Sequence, residues 1–567
     1  MSCPVEFYSF RRRAVHFFDY SQEVGTIYHD KKTGLFLPDS ARPQVKGYSE
    51  AGASTTRRAL KSFLARSGAP SEDIDLNNYT LRQRGRMLYM ASPVATAAIN
   101  TNRTKIVGIG LTLKSSIHRE VLGLSAEAAK NWQRAAEAEF SLWAAKKENC
   151  DATGVNNFYG QQQLALKSWL MSGDCFPLFK RAAATPMNPY TLRIHLIEAD
   201  RVSTPIAYAR TASLIATEGK NPNNGNRIYD GVEIDGDGKI VAYYIRNTYP
   251  YQITAEKTEW QRVEAYGQKT GLPNILQIMD SERCDQYRGV TYLAQVIEPL
   301  LQLRRYTESE LMAALVQSFF TAWITTGGDT SGIPMNEVGS GDIAGIPGDE
   351  PDSVSESENE YEMGPGTVNH LADGESITFG NPNVPTAGFD PFVKTICRLV
   401  GAALEIPYDV LIKEYNASYS ASRAALMEAW ESFRMRRKWF VDDLCQPTYE
   451  VWLSEAVAIG RIKAPGFFTD PRVRAAWCGA RWIGPVQGQL DPVKESKANE
   501  IHVAHGWKTN EQVTREMGGG DWEANVEQLS HENEALKTAG GSTTPTSASG
   551  NEDDGGESAG EGGKDSE

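Results

Sequence analysis

Apolar residues recur every three or four positions over four long stretches of the chain, and this spacing predicts amphipathic helices. The stretches are 125–148, 290–326, 389–405 and 423–460. At 1.5 Å per residue the second would reach about 40–50 Å, with Pro299 kinking it or starting its main segment. A helix that long exceeds an ordinary globular core, so we expect it to pack against neighbouring elements or copies of itself.

Other patterns between these helices predict a mixed region of helices and strands. The run "LRQRGRMLYMASPVATAAINTNRTKIVGIGLTL" predicts a helix, a new helix at Pro93 and then a strand, with Gly108 and Gly110 in a turn or bulge. Strands are also predicted for "RIHLIEADRV" and for the hairpin "GVEIDGDGKIVAYYI". Its Asp235-Gly-Asp-Gly turn invites a calcium site, but Lys239 takes the fifth ligand position, so a tight hairpin turn is favoured.

Two internal segments have the composition of loops. Residues 327–388 are rich in Gly, Pro, Asp and Ser and form an excursion between two predicted helices. The second segment, "IPYDVLIKEYNASYSASRAALMEAW" at 406–430, passes from turn-forming residues straight into a predicted helix, an arrangement that often carries function. Beyond about residue 538 the acidic, low-complexity tail is predicted to be disordered.

Composition narrows the possible functions. The 567 residues are 41% hydrophobic and 23% charged, which is typical of a globular protein of three or four domains. The net charge of −14 argues against tight, general binding of duplex DNA, so contact with nucleic acid should be local or should let the polymer slide. No apolar signal region opens the chain and its seven cysteines include no CxxC pair, which predicts free thiols in a reducing cytoplasm.

No sequence motif predicts catalysis or a cofactor. The chain has no GxxxxGK[ST] phosphate loop, no HExxH zinc motif and no GxSxG nucleophile elbow. His502 and His505 lie three residues apart on a predicted helix, but they lack a third ligand at metal-binding spacing, so a structural or surface role is favoured. We therefore expect no catalytic residues, no metal and no cofactor, and any nucleotide used nearby would be hydrolysed by another protein.

The order of six sequence blocks is more informative than any single motif. Together they closely resemble the lambda-type family of tailed-phage portal proteins over roughly residues 40–535. The blocks are "LRQRGRMLYMASPVATAAINTNRTKIVGIGLTL", "LIEADRVSTP", "GVEIDGDGKIVAYYI", "RGVTYLAQVIEPLLQLRRYTESELMAALV", "ALEIPYDVLIKEYNASYSASRAALMEAWESFRMRR" and "ARWIGPVQGQLDPVKESKANEIHVAHGWKTNEQVTREMGGGDWE".

The resemblance implies an α+β portal fold, with a mixed α/β wing, a long helical stem hairpin, a small clip insertion and an α-helical crown, assembled as a ring. Mapped onto this chain it gives eight regions: 1–282, N-terminal wing; 283–326, first stem helix; 327–388, clip; 389–405, second stem helix; 406–422, tunnel loop; 423–460, long helix returning to the wing; 461–537, crown; 538–567, disordered acidic tail.

The resemblance also implies a function without catalysis. Such rings, typically of twelve subunits, form the DNA channel at one capsid vertex, dock the large terminase subunit for genome packaging, later bind head-completion and tail proteins, and pass DNA during ejection. Major capsid and scaffold proteins are further partners. The protein would reside in the virion, and in the host cytoplasm during assembly, with no membrane involved.

The implied site residues fall in two groups. A DNA-facing tunnel loop would present Lys413, Tyr415, Asn416, Ser418 and Tyr419, with Glu414 offsetting the lysine. A surface loop that only shapes subunit packing is the alternative for this segment. An acidic part of the clip would dock partner proteins through seven carboxylates and no basic residue: Asp349, Glu350, Asp352, Glu356, Glu358, Glu360 and Glu362.

Two other functions stay open from the sequence. One is a cytosolic hydrolase whose acids or histidines meet only in space. The other is a general nucleic-acid-binding protein that uses the basic segments 57–66 and 82–105. Rings with a central hole would favour the portal interpretation over a hydrolase. Tight, salt-sensitive DNA binding by the isolated subunit would favour a general nucleic-acid-binding protein.

Overall fold

A computed structural model divides the chain into residues 1–68 and residues 69–567. In the first part β1 (Ile27–His29) and β2 (Phe36–Pro38) pair antiparallel. The structure describes residues 27–29, 36–38, 58–60, 62–63, 68–210, 217–253, 257–318, 322–326, 375–379, 388–415, 419–488, 492–518 and 520–539. The described residues form a mixed α+β fold, as the sequence predicts.

The second part begins with helices that follow the predicted order. A π-helical turn at Ser71–Asp75 leads into α1 (Leu76–Ala91), and α2 (Pro93–Ile106) starts at the predicted proline, with Ser92 capping it. After these come a strand and four helices: β3 (Thr112–Ser115), α3 (Arg119–Leu122), α4 (Ala126–Ala145), α5 (Lys147–Cys150) and α6 (Phe158–Ser172).

Gly108 and Gly110 form the predicted turn between α2 and β3. Their φ angles are +60° and +131°, a region that side chains rarely adopt. A Cβ on Gly110 would lie 2.6 Å from the side chain of Tyr159, so the position also lacks space for one. This confirms the interpretation of the "GIG" run as a turn.

Two antiparallel sheets follow. The strand order in the smaller sheet is β11-β4-β5 and in the larger one β10-β9-β8-β7-β6. The strands are β4 (Asp174–Arg181), β5 (Leu192–Glu198), β6 (Glu218–Lys220), β7 (Arg227–Tyr229), β8 (Val232–Ile234), β9 (Ile240–Arg246), β10 (Trp260–Glu264) and β11 (Ile278–Met279). Asp235 Oδ1 accepts hydrogen bonds from the backbone N–H groups of Asp237 and Lys239, which closes the predicted β8–β9 hairpin turn.

The remaining elements are mostly helical. They are α7 (Ile297–Ser318), β12 (Ala322–Thr326), β13 (Glu375–Phe379), α8 (Phe389–Ala403), α9 (Tyr408–Ile412), α10 (Tyr419–Phe440), α11 (Gln446–Ala458), α12 (Pro471–Trp477), β14 (Ala480–Ile483), α13 (Pro492–Ala504), α14 (Asn510–Gly518) and α15 (Trp522–Thr538). A π-helical turn, Val441–Cys445, joins α10 to α11. β12 pairs with β13, and β14 pairs with β3. None of the described helices is long and apolar enough to cross a membrane.

Two sequence predictions need correction. The helix predicted over 290–326 is α7, which ends at Ser318, and Ala322–Thr326 is a strand. The "AWITT" sequence there combines Trp with β-branched residues, which suit a sheet better than a helix. The helix is therefore about 33 Å long at 1.5 Å per residue. The loop predicted over 406–422 contains α9, whose first turn follows Pro407, and it ends earlier because α10 begins at Tyr419.

Two large apolar cores support these elements. One lies among α1, α2, α6, α7, α8 and α10 and includes Trp430 and Phe433. The other joins α4 to α11 and α12 through aromatic rings, and Phe140 meets Trp452 edge-on at a centroid distance of 5.0 Å. The second core confirms the predicted inward stripe of α4, although Trp132 is only half-buried at its rim.

A buried charge network joins α1 to the sheets. Arg288 is fully buried, and its Nε and Nη1 atoms lie 2.6 Å from Asp174 Oδ2 and 2.7 Å from Asp230 Oδ2. Arg82 Nη2 lies 2.9 Å from the same Asp230 oxygen. Burial, reinforced by Asp230, raises the pKa of the neighbouring Asp75 to about 7.

Candidate functional site

The segment after α8 is buried at its start and exposed at its end. Leu404 and Ile406 are buried, and the Ile406 N–H donates to the Gly401 carbonyl oxygen at 2.9 Å. A Cβ on Gly401 would lie 2.5 Å from the Ile406 oxygen, so only glycine fits this helix end. Lys413, at φ +62°, ends α9, and both it and Tyr415 are exposed. The fold thus presents two of the predicted tunnel-loop residues on a fixed base.

That base is held by Arg436 of α10. Its Nη2 lies 2.6 Å from Glu405 Oε2, and its Nη1 donates to Asn102 Oδ1 at 3.4 Å. The guanidinium carbon sits 4.9 Å from the ring centre of Tyr292, whose hydroxyl donates to the Leu404 carbonyl. The end of α8 is therefore tied to α2 and to α10.

The neighbouring Arg437 caps the end of α2. Its Nε and Nη2 atoms donate to the carbonyls of Ile106 at 2.8 Å and of Lys105 at 2.6 Å, where a helix carries partial negative charge. Its guanidinium and the Lys105 ammonium lie 5.8 and 5.7 Å from the ring centre of Trp430. Burial lowers the pKa of Arg437 to about 10. Arg437 therefore fixes the end of α2 against α10.

Glu414 is used differently from the sequence expectation. It was expected to offset Lys413, but its Oε2 accepts from the Tyr408 hydroxyl at 2.6 Å and its Oε1 lies 3.8 Å from Lys394 Nζ. The bond to Glu414 raises the pKa of Tyr408 to about 12. Among the described residues, no carboxylate lies within ion-pair distance of Lys413.

A groove runs between α2 and the segment 410–415. Its volume is about 780 Å³, and the residues that line it include three bases, five small polar side chains and no acid. The bases are Arg103, Lys105 and Lys413, and the small polar side chains are Ser92, Thr96, Asn100, Thr101 and Thr104. Tyr415 also lines the groove. In a chain of net charge −14, this is a local positive surface of the kind that phosphates bind.

The other predicted site residues cannot be placed in the groove. Asn416, Ser418 and the seven clip carboxylates from Asp349 to Glu362 lie outside the described residues. Tyr419 forms the first residue of α10. Of the predicted tunnel-loop residues, the structure therefore places only Lys413 and Tyr415 at the groove.

The basic residues of the segment 82–105 have different roles in the structure. Arg82 is buried against Asp230, and Arg86 pairs with Asp200 and Glu198, so both serve the fold. Arg103 and Lys105 are the members that line the groove. The helical pattern could have singled out Arg103. Ala95, Ala98 and Asn102 mark the buried face of α2, and Arg103 is not on that face.

His502 and His505 form an aromatic cluster at the end of α13. The ring of His505 stacks on Trp507 at 5.0 Å, and that of His502 lies 5.8 Å from the same ring. Within the described part of the chain, no three His, Cys, Asp or Glu side chains are grouped as metal ligands.

Comparison with known proteins identifies what kind of protein carries this groove. The family model described as phage portal protein, lambda family, matches residues 56–437, about two-thirds of the chain. Proteins of this family are structural components of phage particles, not enzymes. The chain belongs to the lambda family of phage portal proteins, as its sequence blocks predict.

Individual relatives agree with this assignment. Portal protein B of Escherichia phage lambda is 23% identical over 472 residues, which cover 79% of this chain and 83% of that protein. The portal protein of Escherichia phage N15 is 23% identical over 488 residues, covering 84% and 85%. A probable portal protein of Halomonas phage phiHAP-1 is 24% identical over 453 residues, covering 79% of each.

Solved structures give only a distant likeness. A chain from the neck of a native gene transfer agent particle, computed with C12 symmetry, has 13% identity and a TM-score of 0.38, covering 78% of this chain and 94% of that one. A chain from the virion of the same kind of particle also scores 0.38, with 13% identity and coverages of 77% and 92%. The assignment therefore rests on the family model.

Proposed function

We propose that copies of this chain form a ring, of twelve subunits as is typical of the family, that conducts double-stranded DNA at one capsid vertex. The groove between α2 and the segment 410–415 carries the proposal, because it gathers three bases and no acid beside an exposed loop. Such a surface suits passing contact with phosphates, whatever the base sequence. The overall negative charge would keep that contact weak enough for DNA to move.

Exposed apolar side chains on α7 and α8 support ring assembly. The two helices pack against each other, since Tyr306 on α7 meets Phe389 on α8 at a ring-centre distance of 5.5 Å. Five other large apolar side chains remain between 47% and 64% exposed: Leu311, Met312 and Leu315 on α7, and Phe392 and Leu399 on α8. Two different apolar faces on one hairpin suit head-to-tail contacts, which close into a ring under rotational symmetry.

The regions then take the roles that the family resemblance implies. Residues 1–282 and 423–460 would build the wing, α7 and α8 the stem that lines the channel, and 461–537 the crown. The acidic clip at 327–388 would dock the large terminase subunit during packaging, and head-completion and tail proteins afterwards. Capsid and scaffold proteins would meet the ring in the host cytoplasm, before it becomes part of the virion.

Microscopy and mass measurement test the ring. Purified full-length protein should give rings with a central hole in negative stain and one assembled mass, twelve times that of the subunit, in native mass spectrometry. A Leu399→Glu variant should fail to form rings, because it places charge on the proposed stem interface. Leu142→Glu is the matched control, since Leu142 on α4 is equally exposed, at 65% against 64%.

Either of two results would count against the proposal. If the wild-type protein stays monomeric at high concentration, the proposal that it forms a ring is wrong. Normal rings from Leu399→Glu would show that the stem faces do not make the interface.

A further inference from the structure

The three C-terminal helices lie against the rest of the fold without burying any of their residues. Among the described residues of α13, α14 and α15, none is buried. These helices form a C-terminal cover, residues 492–539, over the body of the fold, residues 69–488. A surface helix of a globular domain usually buries an apolar stripe against the core. Another kind of contact must therefore hold the cover in place.

Ion pairs supply that contact. In each of five pairs the cover provides the acid and the body provides the base. The pairs and their N–O distances are Lys114–Asp521 (2.5 Å), Arg134–Glu527 (2.6 Å), Lys130–Glu523 (3.1 Å), Arg423–Glu495 (3.7 Å) and Arg481–Glu511 (3.8 Å). The bases lie on β3, α4, α10 and β14, so the pairs tie the cover to four elements of the body.

Two cavities separate the cover from the body. One, of about 500 Å³, lies between α15 and the body elements β3 and α4. The other, of about 220 Å³, lies between α10 and the helices α13 and α14. Protein interiors are close-packed, so spaces of this size mark an interface that side chains do not fill. The ion pairs therefore bridge an open interface and do not surround a packed one.

The charge of the C-terminal region favours such an attachment. Residues 492–567 hold sixteen acids and six bases, so they carry ten of the fourteen net negative charges of the chain. Exposed ion pairs each contribute little to stability, and salt screens them. Apolar burial, in contrast, offers no charges for salt to screen. An attachment made of ion pairs across open cavities is therefore one that salt or a competing polyanion can loosen.

We propose that the C-terminal cover is a movable element, and that duplex DNA displaces it by binding the bases beneath it. DNA phosphates compete with the carboxylates of the cover, because both anions accept charge-assisted hydrogen bonds from Lys and Arg. A phosphate chain also neutralises several bases at once and releases counterions. The ionic attachment concerns a single subunit, whereas the choice of DNA as the competitor rests on the proposed function.

Amide exchange in the full-length protein tests the ionic attachment. Raising NaCl from about 0.1 to about 1 M shortens the screening length from about 10 to about 3 Å. Exchange in α15 should then accelerate by at least about threefold relative to α6, which belongs to the apolar core. If α15 does not accelerate relative to α6, the ionic attachment is overturned.

The DNA affinity of full-length variants tests the displacement. Glu523→Gln with Glu527→Gln removes the two carboxylates that face Lys130 and Arg134. Because these bases are then free to meet phosphates, binding of a short duplex should tighten by roughly threefold to thirtyfold. Fluorescence anisotropy at about 0.1 M salt measures the affinity, and added duplex should also accelerate amide exchange in α15 of the wild-type protein.

Two further variants separate displacement from a general effect of charge. Glu532→Gln with Glu534→Gln is the matched control, since it makes the same change of net charge at exposed positions of the same helix. Adding Lys130→Gln and Arg134→Gln to the first variant should cancel its gain. Equal tightening in the variant and the control, or a gain that survives the loss of the two bases, would overturn displacement by DNA.

Native mass spectrometry of the same proteins keeps this inference apart from the ring. If wild-type rings form and salt does not loosen the cover, the ionic attachment is wrong and the ring still stands. If the wild-type protein is monomeric and salt loosens its cover, the ring proposal is wrong and the ionic attachment is supported.

Discussion

The Glu405 carboxylate lies 2.6 Å from the Arg436 guanidinium, and this ion pair ties the end of α8 to α10. Arg436 is 7% exposed, whereas about half of the Glu405 side chain is exposed. The arginine also donates to Asn102 and covers the ring of Tyr292. The position of the proposed tunnel loop therefore depends on one nearly buried cation.

Replacing that cation should destabilise the protein more than neutralising its partner. Arg436→Ala leaves the polar groups of Asn102 and Glu405 without their donor, and we expect a loss of about 2–3 kcal/mol. Glu405→Gln keeps a hydrogen-bond acceptor at a half-exposed site and should cost about 1 kcal/mol or less. Urea unfolding followed by tryptophan fluorescence measures both. Equal losses from the two variants would contradict the assigned role of Arg436.

A close approach of two glycines should make one substitution costly. A Cβ on Gly289 would lie 1.9 Å from the Gly173 carbonyl oxygen. That oxygen belongs to the backbone, so it cannot rotate away as a flexible side chain could. Gly289→Ala should therefore cost about 3 kcal/mol or more, at the upper end for overpacking. Gly236→Ala is the control, because no atom lies within 4 Å of its Cβ and its φ is not positive. Thermal unfolding midpoints of the two variants should differ clearly.

Asp75 should make stability fall as the pH rises. Burial raises its pKa from 3.8 to about 7, so the folded state holds the proton more tightly than the unfolded chain does. Its contribution is most favourable below pH 3.8, declines as the pH rises through the interval to 7, and is lost above that. Asp75→Asn should remove this slope and raise the unfolding midpoint at pH 8, by about 1 °C for each kcal/mol recovered in a unit of this size.

The measurement is the unfolding midpoint at pH 5 and at pH 8. Glu72→Gln, which neutralises an exposed carboxylate three residues earlier, serves as the control and should leave the slope unchanged. A slope that survives in Asp75→Asn would assign the pH dependence to another group.

Charge reversal should release the start of α15, and a second reversal should restore it. Lys130→Glu with Arg134→Glu places like charges opposite Glu523 and Glu527. Because exposed ion pairs contribute about 0.2–1 kcal/mol each, we expect amide exchange in α15 to accelerate by roughly threefold to thirtyfold. Adding Glu523→Lys and Glu527→Lys should return the exchange rates towards the wild-type values. No acceleration in the first double variant would show that these pairs do not hold the helix.

Local patterns predicted most helices because one buried face repeats every turn. The stripe of Ala136, Phe140 and Trp143 and the helix start at Pro93 are examples. The end of α7 was missed because the apolar spacing continues through Trp323, while the β-branched residues beside it favour a strand. Periodicity alone does not decide between these two structures.

The candidate site was less predictable because it forms from distant parts of the chain. Lys413 and Tyr415 were expected in the loop from the family resemblance, but Arg103 joins them in the groove from 310 positions earlier. The Glu405–Arg436 pair depends on how α10 returns past the end of α8, which no local spacing encodes. Similarly, Arg82 and Arg103 have the same residue type within one basic run, and only the tertiary fold buries the first and exposes the second to the groove.

The groove itself should contribute to DNA contact through charge and not through base recognition. In assembled rings, Arg103→Gln with Lys413→Gln removes two of the three bases while keeping polar side chains of similar length. Each lost phosphate contact should lower the slope of log affinity against log salt by about 0.9 for duplex DNA, with the same loss for unrelated sequences. Arg84→Gln with Lys239→Gln is the control, since neither side chain lines the groove. Fluorescence anisotropy measures the slopes with two unrelated duplexes. The titrations cover about 50 to 200 mM salt. An unchanged slope, or a change confined to one of the two duplexes, would exclude the groove as a general phosphate contact.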